Sequence, residues 1–108
     1  MVRVPRYSVW GVELSPTKGS EQAGYRPVVV LSPDVMNDHL NTVIVAPMTT
    51  VRRDWPTRIP VNHGGKDGDV ALDQLRTIDK TRLKTSMGSL HGPVRETLSS
   101  MLSAMFTP

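Results

Sequence analysis

Pro27, standing at the head of Val28-Val29-Val30-Leu31, restricts the fold of this chain more than any other feature. Proline has no N–H to give to a sheet ladder and fixes its own φ, so it fits the first residue of a strand or an edge. The residue before a proline is pushed out of the helical region into an extended conformation. Arg26 is therefore predicted to be held extended where the polar loop Ser15 to Tyr25 becomes a strand. Its guanidinium is always charged and shaped to fork onto a phosphate or carboxylate.

A second apolar, β-branched run, Thr42 to Ala46, reads as a buried strand whose ladder pairing should end at Pro47. The link from Leu31 to Thr42 is shorter than the dozen or more residues that a parallel crossover takes, so these two strands are predicted to pair antiparallel. The start of one then lies beside the end of the other. Arg26 and the pair Thr49-Thr50 would meet at one rim.

The remaining elements follow from local pattern. Tyr7 to Leu14 alternates, with Trp10, Val12 and Leu14 on one side, and predicts a strand with one buried face. Ser32-Pro33-Asp34 reads as an N-cap, a first-turn proline and a first-turn acid, opening a short helix to about His39. Arg58 to Val61 is a predicted strand, His63 to Asp69 a turn, and Val70 to Leu75 a strand interrupted in polarity by Asp73 and Gln74. A short helical turn is predicted from Thr77-Ile78-Asp79 to Leu83, then a last strand from Thr85 to Leu90. Gly92-Pro93 opens a terminal helix in which Val94, Leu98, Met101, Leu102 and Met105 recur at helical spacing, a stripe for the core or a subunit interface. The expected fold is mainly β (α+β): a small, strongly bent antiparallel sheet or barrel with short inserted helices and a C-terminal helix. At 108 residues the chain should form a single domain, 1–108.

Composition excludes several chemistries. There is no cysteine, and His39, His63 and His91 are scattered singly, so neither a disulfide framework nor a zinc site is expected. Asp67-Gly68-Asp69 lacks the spaced acids of a calcium loop, and Lys18-Gly19-Ser20 has the wrong order for a phosphate loop. No metal or cofactor is expected. No apolar stretch approaches the ~20 residues needed to span a bilayer, and Met1 to Arg6 lacks the apolar core of a signal peptide. The expectation is a cytoplasmic protein without membrane contact. The formal charge of +3 is unevenly placed, with Arg76, Lys80, Arg82 and Lys84 facing Asp79, and Arg52, Arg53 and Arg58 facing Asp54. Such clusters suit an anionic partner, or are simply a solvated face.

At the rim the chain offers a fixed guanidinium, the hydroxyls of Thr49 and Thr50, and Ser20, Glu21 and Gln22 from the preceding loop. No histidine is placed near a serine in any hydrolase motif. The set can grip a phosphate and stabilise charge that grows on it. Cleavage of RNA fits, because the ribose 2′-OH is a built-in nucleophile; DNA should resist. Trp55, beside Arg52 and Arg53, could be a platform for an unstacked base or a pin for its own loop. Each residue has a duller reading: Arg26 as a surface ion pair, the threonines as turn formers, Asp73 as a partner of Arg76.

Together these residues resemble the MazF/PemK (Kid) family of toxin endoribonucleases over nearly the whole chain. The opening strand with Trp10, the stretch Ser15-Pro16-Thr17-Lys18-Gly19-Ser20-Glu21-Gln22-Ala23-Gly24-Tyr25-Arg26-Pro27, Val45 to Thr50, and Ala71 to Asp79 are similar to that family in order and spacing. The resemblance implies an SH3-like antiparallel barrel of the MazF/PemK and CcdB toxin type. It also implies a homodimer that cuts single-stranded mRNA at short sequences without metal, leaving 2′,3′-cyclic phosphate and 5′-hydroxyl ends. On it the catalytic residues are Arg26 and Thr49, with Asp73 a secondary candidate; some members carry an arginine where this chain has Ala71. RNA contacts are expected from Lys18, Ser20, Glu21, Gln22, Thr50, Arg53, Trp55, Gln74 and Arg76. The resemblance further implies a cognate antitoxin whose acidic, disordered tail covers the same groove.

Two other classes compete. A protein-binding poison on the same scaffold, like the gyrase inhibitor CcdB, acts through a C-terminal tryptophan-glycine-isoleucine, whereas this chain ends Met105-Phe106-Thr107-Pro108. A non-catalytic RNA-binding module is the third, since fold does not fix function.

Overall fold

The structure, a computed structural model, describes residues 3–14, 19, 21 and 24–108. The described residues form seven strands: β1 (Ser8–Glu13), β2 (Tyr25–Val30), β3 (Thr42–Thr49), β4 (Arg58–His63), β5 (Lys66–Ala71), β6 (Arg76–Asp79) and β7 (Thr85–Ser89). Helix α1 (Asp34–His39) links β2 to β3, and α2 (Pro93–Phe106) ends the chain. The strands form one antiparallel sheet in the order β4-β5-β3-β2-β1-β7, with β6 also paired to β3. No described helix is long and apolar enough to cross a membrane.

The predicted antiparallel pairing of the two apolar runs is present, with Val28 opposite Pro47, Val29 opposite Ala46 and Val30 opposite Val45. Side chains alternate across the three central strands and feed two separate apolar clusters. Val9, Val29, Leu31, Ala46 and Met48 join Ile59, Val70, Leu72 and Leu98 on one face. Trp10, Val12, Leu14, Val28, Val30, Val43 and Val45 join Val4 and Ile78 on the other. β1 is thus buried on both faces rather than the one expected, because a sharply bent sheet wraps a core on its concave side while loops and β6 cover the other. The α2 stripe packs as core: Leu98 is fully buried, and Val94, Met101, Leu102 and Met105 lie against the first cluster. Complete burial of a leucine contributes about 1.5–3 kcal/mol.

Four local expectations need correction. Pro47 does not end β3, which continues to Thr49. On its far edge β3 changes partner, from β6 up to Val45 to β5 from Met48, and Pro47 falls in the changeover. Ser32 does not cap α1; its hydroxyl donates to Asn37 Oδ1 and accepts from the Ile44 amide (3.0 Å), tying the helix to β3. The turn predicted over His63 to Asp69 shrinks to Gly64 and Gly65, both at positive φ (61° and 78°), which is the tight two-residue hairpin that only glycine-like residues make easily. Finally, β5 stops at Ala71 and Leu72–Gln74 form a single 3₁₀ turn, while Arg76–Asp79 is a strand, with helical winding confined to Lys80–Arg82. Asp79 accepts the Thr81 amide there at 2.9 Å.

Candidate active site

Arg26 sits in β2 opposite Val12 of β1, one residue ahead of Pro27. The hydrogen-bonded register between β2 and β3 begins at Val28 and Pro47, so the Arg26-Pro27 end of β2 runs past its β3 ladder. Carrying that register two residues further aligns Arg26 with Thr49. Both residues, with Thr50, line one cavity of about 380 Å³. Its other walls come from Tyr25, Met48, Val61, from His63 at the end of β4, from Lys66, Asp67 and Gly68 at the start of β5, and from Met87 on β7.

Thr49 is buried, and its Oγ1 accepts the Val51 amide at 3.1 Å. A hydroxyl has one proton and two lone pairs, so the Thr49 O–H can still be donated into the cavity. Gly68 lies against the Thr49 backbone so closely that a Cβ there would stand 2.4 Å from the Thr49 carbonyl oxygen. Opposite Thr49 in the ladder, buried Asp69 accepts the Arg53 amide at 2.8 Å and Arg52 Nε at 3.4 Å. That carboxylate fixes the chain as it leaves Thr50. The Tyr25 hydroxyl donates to Thr85 Oγ1 at 2.9 Å and its ring lies over Gly11, which holds one lip of the cavity to β7.

The other predicted residues gather elsewhere. Glu21, Asp73, Gln74 and Arg76 line a second cavity of about 440 Å³ with Leu14, Pro47, Leu75 and Thr77. β3 contributes to both, through Pro47 on one and through Met48 and Thr49 on the other. Arg53 and Trp55 lie on the exposed chain between β3 and β4, the Arg53 guanidinium 5.8 Å from the Trp55 ring centre. Lys18, Ser20 and Gln22 lie outside the described residues.

Asp73 is partnered by Arg58 rather than Arg76. Arg58 Nε donates to Oδ1 at 2.8 Å and a terminal guanidinium nitrogen to Oδ2 at 3.2 Å, while Thr57 donates its hydroxyl at 3.1 Å. Partial burial alone would raise the Asp73 pKa. Hydrogen bonds from Arg58, its own backbone amide and Thr57, with the Arg58 charge, outweigh it and hold the carboxyl below the ordinary aspartate range. A carboxylate so held is a weak base. Arg58 is itself buried and stacks 4.7 Å from the Trp55 ring centre. Much of the predicted basic surface is thus spent internally: Arg52 on Asp69, Arg58 on Asp73, Lys80 on the Asn37 carbonyl and Arg82 on the Glu13 carbonyl.

Sequence reasoning missed Tyr25, His63, Lys66 and Asp67 as cavity residues. The available signal was Gly64-Gly65, which as a two-residue hairpin extends the flanking strands and brings His63 opposite Lys66.

Comparison with known proteins places these features in context. The model of a family described as the PemK-like, MazF-like toxin of type II toxin-antitoxin systems matches residues 5–106. The chain is 40% identical over 88 residues to the endoribonuclease MazF of Staphylococcus saprophyticus, covering 76% of this chain and 73% of that protein. The crystal structure of MazF from Deinococcus radiodurans superposes with a TM-score of 0.80 at 25% identity, over 97% of this chain and 96% of that one. A mycobacterial endoribonuclease in complex with its cognate antitoxin shares the fold, with a TM-score of 0.82 at 24% identity over 96% of each chain.

Proposed function

This chain belongs to the family of PemK-like, MazF-like toxins of type II toxin-antitoxin systems, and from that premise we propose that it is an endoribonuclease that cuts single-stranded RNA at the cavity shared by Arg26 and Thr49. The observation that carries this reading is the convergence of Arg26, Thr49 and Thr50 on one concave surface from strands that abut. The Arg26 guanidinium grips the scissile phosphate and stabilises the charge that grows on its oxygens, and the Thr49 hydroxyl donates to the same group. A guanidinium stays protonated near neutrality and is a poor proton donor or acceptor there, so Arg26 works as a clamp. The ribose 2′-oxygen attacks phosphorus and the 5′-oxygen of the next nucleotide departs, leaving 2′,3′-cyclic phosphate and 5′-hydroxyl ends.

The second cavity, with Gln74, Arg76 and Glu21, offers donors and acceptors to a neighbouring base, and Asp73 serves there as a structural anchor for Arg58. A cognate antitoxin is the proposed regulator, in keeping with the family's description and with the mycobacterial relative solved in such a complex. The working unit is proposed to be a homodimer.

The test is to incubate the protein with a long single-stranded RNA in EDTA and map the ends. Cuts at a short recurring sequence with cyclic phosphate ends are expected, and a DNA of the same sequence should stay whole. Intact RNA would favour a binding module, and intact RNA with inhibited gyrase a CcdB-like poison.

A further inference from the structure

We propose that His63 is the general acid of this reaction, delivering a proton to the departing 5′-oxygen; the assignment rests on the endoribonuclease reading and deepens it. His63 ends β4, one margin of the sheet, and its Nε2 lies 2.6 Å from the carbonyl oxygen of Met87 on β7, the other margin. A carbonyl only accepts, so Nε2 carries a proton whether the ring is neutral or charged. The atom left to gain and lose a proton is Nδ1. The ring lies near Gly88 of β7, where an added Cβ would be in ordinary contact with its Cε1 at 3.8 Å. His63 is therefore held across the cavity wall that also carries Arg26 and Thr49.

The reaction needs such a group. A guanidinium does not release its proton near neutrality, and histidine, the side-chain type that most often serves as general acid or base, is among the described cavity residues. In the step, the 2′-oxygen forms a bond to phosphorus and its proton passes to water. The bond from phosphorus to the 5′-oxygen breaks, its electron pair stays on that oxygen, and Nδ1–H of the imidazolium supplies the proton. The ring ends neutral, with Nε2–H still on the Met87 carbonyl, and recharges from solvent. The charged and titratable groups lining the cavity with it are Arg26 and Tyr25 of β2 and Lys66 and Asp67 of β5, and His91 lines a further cavity that His63 also borders. Because the working form is the cation, cleavage should fall as pH rises.

The experiment compares single-turnover cleavage of an ordinary RNA with that of the same RNA carrying a bridging 5′-phosphorothiolate, whose sulfur leaves without a proton. His63→Gln keeps an amide for the Met87 carbonyl but has no proton to give. It should slow the ordinary RNA by about 100-fold or more, as loss of a general acid does, and leave the phosphorothiolate close to wild type. Arg26→Ala should slow both. In the wild type, which needs no variant to fold, the high-pH fall should appear with the ordinary RNA and vanish with the phosphorothiolate. His63→Gln at the wild-type rate, equal losses on both substrates, or the same high-pH fall on both would overturn the assignment. A wild-type protein that cuts neither substrate would instead overturn the nuclease reading, and this role with it.

Discussion

Gly68 is bare because Thr49 leaves no room: the nearest atom to an added Cβ is backbone, which cannot swing aside. Gly68→Ala should therefore push β5 from β3 and cost about 1–3 kcal/mol, the usual range for overpacking. A shift of the urea midpoint at unchanged slope would show it, and an unshifted midpoint would mean the strands part freely. Asp73 makes a second prediction at this scale. Its folded pKa is depressed, so the Arg58–Asp73 pair stabilises fully above the ordinary aspartate value of about 4 and loses that contribution as pH falls through the lower, folded value. Asp73→Asn should cost about 1–3 kcal/mol at pH 7, less than a fully buried pair because the Asp73 side chain is 30% exposed. It should also flatten the acid limb of stability measured by urea titration from pH 5 to 2. Parallel acid limbs would show that the pair does not sense pH. From sequence, Arg26 was legible as a strand-end cation because Pro27 dictates its backbone. Asp73 was not, since its partner Arg58 is remote in sequence and meets it through β4 lying beside β5.

Elements were readable where one pattern dominated. The run after Pro27, the strand from Thr42 and the α2 stripe each carry a dominant apolar signal, and each is present, though β2 begins two residues before Pro27, at Tyr25, and β3 runs on to Thr49. β5 was obscured by its own composition: Lys66, Asp67, Gly68 and Asp69 read as a loop, yet they are polar because they face a cavity and hold the chain after Thr50. Ser32 has the sequence of a helix cap and the role of a strand tie, a choice made by Ile44, whose amide needs an acceptor. For α2, Leu98→Ala should cost about 2–5 kcal/mol, since it empties a fully buried position in the cluster that lies against β4 and β5. Thermal unfolding would measure it; a change under about 0.5 kcal/mol, the size of a surface substitution, would place the helix outside the core.

Across the whole molecule, a single bent sheet brings its two margins together, and His63 on β4 bonding Met87 on β7 joins them over the cavity. The short link between β2 and β3 already set Arg26 beside Thr49, but the closure that brings His63 to the same space joins strands remote in sequence and could not be read from spacing. The proposed RNA binding should be salt-sensitive, because each phosphate contact releases counterions. For a single strand the logarithm of the binding constant should fall with that of salt concentration at a slope of roughly −0.7 per phosphate contact. Arg53→Ala should lessen that slope, and an unchanged slope would remove Arg53 from the RNA path. The central claim is that Arg26 and Thr49 serve one phosphate. Single-turnover cleavage by Arg26→Ala, Thr49→Val and the double variant tests it most directly, because groups that act as a unit are not additive. The account predicts that Arg26→Ala loses at least about 100-fold and that the double variant is scarcely slower. A double variant whose loss is the product of the two single losses would mean the residues act independently, and the shared phosphate would have to be given up.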